Sequence, residues 1–183
     1  MDASVTGNIA VAISMVSAIV SFISVFFVWR QTRLQKNTIR SQLSTDLIMK
    51  VYSDDNLQKV LYLVFDDRIE FNRTSDTAFV IIIKGKNDDI AQDVDKLLNI
   101  FQIIGNLLFT KALDKNDIRG LGYEIISLGR NEAIYKYLQF LINDYQKISG
   151  VSHDHFLYFK KLYLSFEYDK QCGDKIRNCI LLA

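Results

Sequence analysis

No proline occurs in the 183 residues. Proline interrupts helical hydrogen-bond ladders and abounds in loop-rich folds, so its absence argues against a turn-dense architecture and favours long helices. Cysteine is nearly as scarce. Cys172 and Cys179 lack the C-x-x-C spacing of zinc and thioredoxin sites, which points to a reduced, cytosolic domain rather than a disulfide scaffold. Nor is there an excess of charge of either sign. Twenty-two Lys and Arg face 21 Asp and Glu, a net charge of +1, so no global field draws the chain to an acidic surface and no direct DNA binding is expected. The sequence also lacks a G-x-x-x-x-G-K-[ST] loop, an H-E-x-x-H pair, a G-x-S-x-G elbow and a G-x-G-x-x-G fingerprint. The expectation is therefore a non-enzymatic protein with no cofactor.

One further absence is local and more informative. From Ala3 to Trp29 there is no charged side chain. The part from Ile9 to Trp29, at 1.5 Å rise per residue, matches a hydrocarbon core of about 30 Å, which predicts a transmembrane helix over 9–29. A cleaved signal peptide fits poorly, because a basic n-region and a small-x-small cleavage site are missing. The aromatic Trp29 and the cations Arg30, Arg33, Lys36 and Arg40 follow the run, forming interface anchors. The positive-inside rule then places residues 1–8 outside and everything after Arg30 in the cytoplasm. No second charge-free run approaches twenty residues, so a single crossing is expected.

Within this run Gly7, Ala10, Ser14, Ser17, Ser21, Ser24 and Val28 recur at steps of three and four, the spacing of one seam of a left-handed helix pair. The bulky side chains Ile9, Ile13, Val16, Val20, Ile23 and Phe27 line nearly the opposite side. Serines in membrane helices also bond back to their own carbonyls with little consequence. The seam reading is self-association, with hydroxyl bonds across the interface worth about 0.6 kcal/mol each. A water-lined version of the seam would make a pore.

Past the anchor the same phase continues through Gln31, Gln35, Thr38, Gln42 and Thr45, while Ile39, Leu43, Leu47 and Val51 form an apolar row that needs a partner. A second helix is expected from the Asp54-Asp55 caps through Phe65, fading near Phe71-Asn-Arg-Thr-Ser. Phe79-Val-Ile-Ile-Ile83 reads equally as a short strand or a buried helical turn. Ile90, Val94, Leu97, Phe101, Ile104 and Leu108 predict a central third helix, and Ile118, Leu121, Ile125 and Leu128 a fourth, weakened by Gly120 and Gly122. Asn131 caps a fifth helix that Gly150 ends, and Ser152 caps a sixth carrying Phe156, Phe159, Tyr163 and Phe166. With no repeat and no low-complexity linker, the fold class expected is all-α: residues 30–169 as a cytoplasmic antiparallel bundle and 170–183 as a C-terminal tail.

Candidate chemistry is sparse. His153 and His155 lie two positions apart in a helix's first turn, so their rings diverge, and a solvated turn is favoured over a metal site. The carboxylate pairs Asp54-Asp55, Asp66-Asp67 and Asp88-Asp89 are read as capping rather than catalytic groups. Lys84 and Lys86 in a turn, and Lys160 and Lys161 beside aromatics, are candidates for an anionic ligand, although for Lys160 and Lys161 the wet edge of an aromatic helix is the stronger reading.

The order of an N-terminal span with a basic flank, then Asp93-Val-Asp-Lys-Leu-Leu-Asn-Ile-Phe-Gln-Ile-Ile-Gly105, Lys136-Tyr-Leu-Gln-Phe-Leu-Ile-Asn-Asp-Tyr145 and Phe156-Leu-Tyr-Phe-Lys-Lys-Leu-Tyr163, resembles bacterial single-span membrane proteins with a helical cytoplasmic domain. More loosely, the layout is similar to small membrane effectors of antiviral defence systems. The resemblance implies an inner-membrane location, a lipid bilayer and copies of itself as partners, and a cytoplasmic domain that meets another protein or a small anionic nucleotide. Two functions are expected from this: a self-associating interaction or sensor protein, or a ligand-gated effector that disrupts the membrane.

Overall fold

A computed structural model describes residues 3–75, 78–86, 88–149 and 156–168; side-chain surroundings are described for Met15, Ser17 and from Ile19 onward, apart from 144–149. His153, His155, Gly150, Ser152, Cys172, Cys179 and the tail lie outside the described residues, as do the side chains of Gly7, Ala10 and Ser14. The chain divides into two units, residues 1–42 and 43–183. The division falls later than Trp29 because Leu43, Leu47, Ile48 and Val51 join the second unit's core.

In the first unit the backbone is helical from Ala3, within a helix α1 that ends at Ser53. Its described apolar side chains are exposed on every side: Ile19 and Phe27 are 60% exposed, Phe22 79% and Val25 68%. Ser21 Oγ donates to Ser17 O and Ser24 Oγ to Val20 O, both at 2.8 Å. Arg33 lies 5.6 Å over the Trp29 ring. Among the described residues no helix is long and apolar enough to cross a membrane.

The second unit is mostly helical with a small two-stranded sheet, which corrects the all-α expectation. Helix α2 (Asp55–Phe65) starts where expected, with Asp54 accepting from the Asn56 and Leu57 amides. It ends in a left-handed residue, Asp67 at φ 50°, and Arg68 N bonds back to Leu63 O at 2.8 Å. This is a Schellman-type stop built without glycine. Strand β1 (Ile69–Arg73) then pairs antiparallel with β2 (Phe79–Ile83), Ile69 opposite Ile83 and Phe71 opposite Ile81. The residues read as a fading helix form a strand because Ile69 and Phe71 alternate with Glu70 and Asn72, and this period of two buries one side. The β-branched run in β2 supplies the mate.

Helix α3 (Ala91–Phe109) forms the centre, with Val94, Leu97, Phe101 and Ile104 fully buried. Ile118, Leu121, Ile125 and Leu128 are buried in phase, as their spacing predicts. They belong to two helices, however: a 3-10 turn Lys115–Leu121 and α4 (Gly122–Arg130). Helix α5 (Glu132–Ser149) begins at the expected cap, the Ala133 and Ile134 amides donating to Asn131 Oδ1 at 3.0 and 3.2 Å. A last helix, α6 (157–168), lies over α3 and α4. It is held by Phe159 N to Gln102 Oε1 at 2.8 Å and by a forked pair from Arg130 to Glu167 at 2.6 and 3.1 Å.

Candidate functional site

Two backbone decisions build one concavity of the second unit. The β1–β2 hairpin presents Phe71 and Arg73 beside α5, and the Asn131 cap sets the rotation of α5. The Asn131 amide also donates to Val64 O at 3.5 Å and to Asp67 Oδ1 at 3.4 Å, tying the start of α5 to the end of α2. Between β1 and α5 lies a groove of about 440 Å³. Phe71 and Arg73 form one wall; Lys136, Gln139, Phe140 and Asn143 form the other, with Tyr135 at the rim.

The floor is aromatic. Phe71 stacks on Phe79 at 6.0 Å, and Phe79 meets Tyr137 at 4.9 Å and Phe140 at 5.0 Å. Arg73 lies 5.4 Å over the Phe140 ring, its Nε donating to Ser75 O at 3.0 Å. Beneath, the buried Tyr137 hydroxyl donates to Asp95. Burial, and then that bond, push the tyrosine far above its usual range. Burial raises the Asp95 carboxyl as well, opposed by the Tyr137 hydroxyl. At the mouth Lys136 pairs with Glu132 at 2.7 Å, and this bond holds the Glu132 carboxyl below its usual range.

Charge separates this groove from its neighbours. Its described lining holds two cations, Arg73 and Lys136, the latter paired with Glu132. A smaller space of about 220 Å³ shares Phe71 and Lys136 but brings in Asp67, Glu70 and Glu132. A third, of about 410 Å³ on α2, mixes Asp55 and Asp66 with Lys59, Arg68 and Lys86.

The four lysines picked from the sequence are not brought together. Lys84 pairs with Asp67 at 2.9 Å in the smaller space, and Lys86 lines the α2 groove. On α6, Lys161 sits 4.2 Å over the Phe109 ring and 5.7 Å from that of Tyr158, which fits the reading of an aromatic helix edge. The Lys160 backbone amide bonds to Phe156 O at 3.0 Å in the first turn of the same helix. Sequence reasoning missed Arg73, Tyr135, Lys136 and Phe140. The signal available was the 136, 140, 143 spacing on α5, which places a cation, a ring and an amide on one face.

Of the carboxylate pairs, Asp54 caps as expected, while Asp89 accepts from the Ala91 and Ile81 amides at 3.0 and 3.3 Å, joining α3 to β2. A carboxylate not singled out, Glu124, is buried on α4 and accepts from the Tyr52 hydroxyl; its other oxygen has no partner among the described residues. Burial, then this bond, push Tyr52 up to about 12. The pair joins the end of α1 to α4, with no nucleophile recorded beside it. Among the described residues no His, Cys, Asp and Glu cluster suits a metal.

No family model, no curated protein and no solved structure matches the chain. The groove and the α1 surface therefore stand on their own chemistry.

Proposed function

We propose that this is a non-enzymatic single-pass membrane protein of the bacterial inner membrane. Helix α1 crosses once over 9–29 with the N-terminus outside, and α2 to α6 form a bundle in the cytoplasm that serves as an interaction or sensor domain. Copies associate through Gly7, Ala10, Ser14, Ser17, Ser21 and Ser24. The observation that carries this reading is the exposure of apolar side chains all round α1, from Ile19 to Trp29. Moving one such side chain out of water is worth about 1.5–3 kcal/mol, so a charge-free helix apolar on every side belongs in a bilayer.

The serine geometry sharpens the association step. Because Ser21 and Ser24 already donate within their own helix, the seam works through the small size of its side chains rather than through hydroxyl bonds between helices. In a membrane two-hybrid assay, replacing Ser14, Ser17, Ser21 and Ser24 together with alanine should leave association intact. Leucine at the same positions should abolish it, and association surviving the leucines would refute the seam.

A second reading, a ligand-gated effector that disrupts the membrane, is favoured by one observation. The β1–α5 groove sets Arg73 and Lys136 beside the rings of Phe71, Tyr135 and Phe140. In this reading an anionic signal rearranges the oligomer and permeabilises the bilayer. It is tested by following membrane potential in cells overproducing the protein, where sustained polarisation would count against it.

A further inference from the structure

We propose that the outer face of α6 rests on an anionic lipid surface, with Leu157, Leu164 and Phe109 entering the headgroup region and Lys111 and Lys161 meeting lipid phosphates. This rests on the first reading above, that α1 holds the chain at the inner membrane, and goes beyond it by giving the bundle a lipid-facing side.

Helix α6 carries two apolar faces where one serves its packing. Phe156, Phe159, Leu162 and Phe166 turn inward and are buried. Leu157, Lys161, Leu164 and Tyr168 are spaced by four, three and four, so at 100° per residue they fall within about 60° of one another on the opposite side. On that side Leu157 is 39% exposed, Leu164 61% and Tyr168 69%. Phe109, the last residue of α3, adds a ring that is 60% exposed. Lys161 lies 4.2 Å over this ring, and Tyr158 meets it at 5.7 Å. A surface helix ordinarily keeps its outward stripe polar. Apolar groups gathered on such a stripe mark a contact with a membrane or another protein.

Charge selects lipid. Lys111 and Lys161 are exposed, and neither enters an ion pair among the described residues. The one described carboxylate of α6, Glu167, is turned aside to Arg130 at 2.6 Å, its side chain only 14% exposed. The face therefore offers apolar groups, rings and cations together, the chemistry of an interfacial helix on anionic lipid. A second copy docked here would need a self-complementary face, and these cations would meet their own kind. Lys161 can keep its stem over the Phe109 ring while its ammonium reaches a phosphate. Tethering through α1 raises the local concentration of lipid, so a contact this small suffices.

The test uses full-length protein, with Cys172 and Cys179 replaced by serine, in nanodiscs of equal parts phosphatidylglycerol and phosphatidylcholine. Nitroxide labels are attached to Leu164→Cys, to Tyr62→Cys on α2 and to Ile23→Cys in α1, each checked for unchanged melting. Oxygen and a water-soluble nickel complex then report the surroundings of each label. The Leu164 label should match the Ile23 label, open to oxygen and shielded from nickel, while the Tyr62 label stays open to nickel. Lys111→Gln combined with Lys161→Gln, or discs of phosphatidylcholine alone, should return the Leu164 label to the nickel-exposed class. A nickel-exposed Leu164 label beside a shielded Ile23 label overturns the lipid contact and leaves the anchor standing. A nickel-exposed Ile23 label overturns the anchor and the contact with it. Shielding of the Leu164 label from both reagents marks a protein neighbour and overturns the lipid assignment, as does shielding that persists in both the double variant and the neutral discs.

Discussion

Tyr52 and Glu124 show how much rests on one hydroxyl. Glu124 is 8% exposed, one of its oxygens accepts from Tyr52 and the other has no described partner. Tyr52→Phe removes the only donor to Glu124 among the described residues, and an unsatisfied buried acceptor costs about 1–3 kcal/mol. Melting of the full-length protein in detergent should fall accordingly. Adding Glu124→Leu should recover most of the loss, since removing both partners removes the unmet group. No recovery would mean that Tyr52 acts through packing alone. Asp95 gives a pH-dependent case. Its carboxyl is raised by burial in the fold, so the folded chain holds the proton more tightly than the unfolded one. The sign follows: this group's contribution is present below the usual carboxylate range and is lost as pH rises through the raised value. Asp95→Asn keeps an acceptor for Tyr137 and should melt higher than the parent at pH 7, with the gap closing toward pH 3. A gap independent of pH would assign the effect to packing instead.

Among the elements, α3 was the most legible. Its spacing of four, three, four, three and four returned as buried Val94, Leu97, Phe101 and Ile104, because a long helix averages its signal over several turns. The Asp54 and Asn131 caps were legible for a similar reason: the bond that defines a cap lies within three residues of it. The hairpin was not. Five-residue strands carry about two inward side chains each, too few for a period to stand out, and β1 acquires its identity from Ile81 and Ile83, far along the chain from their partners Phe71 and Ile69. The groove was hidden with it, since Arg73 reaches α5 only through that pairing. Lys84 and Lys86 were chosen for sharing a turn and Lys160 and Lys161 for their aromatic neighbours, and such local company does not report which elements meet.

The docking of α6 rests on close approach. A Cβ on Gly105 would meet the Tyr158 carbonyl oxygen and lie 2.7 Å from its carbon. Backbone cannot yield as a side-chain tip does, so Gly105→Ala should lose about 1–3 kcal/mol despite alanine's better helix propensity. Gly120, with nothing within 4 Å, is the control. Gly120→Ala should not lower the melt, and equal losses at both sites would contradict the account of α6.

For the whole molecule, two units with opposite surface logic share one chain. Residues 43–183 bury their own core from Val51 to Phe166, while the described part of 1–42 leaves its large apolar side chains exposed. In the proposed function, lipid together with a second copy would supply the apolar surrounding that these exposed side chains call for. The proposed seam is a periodicity of the sequence, whereas the bonds of Ser21 and Ser24 to their own helix could not be read there, because a donor's choice between its own carbonyl and a neighbour is a matter of rotamer. Cysteine crosslinking in carbonate-washed cell membranes tests the central claim most directly. With Cys172 and Cys179 replaced by serine, cysteines placed singly at Ser17, Ser21 and Ser24 should form disulfide-linked dimers on oxidation, while cysteines at Val20, Ile23 and Phe27 should remain monomeric. Loss of the protein to the carbonate wash, or equal crosslinking on both faces, would contradict it.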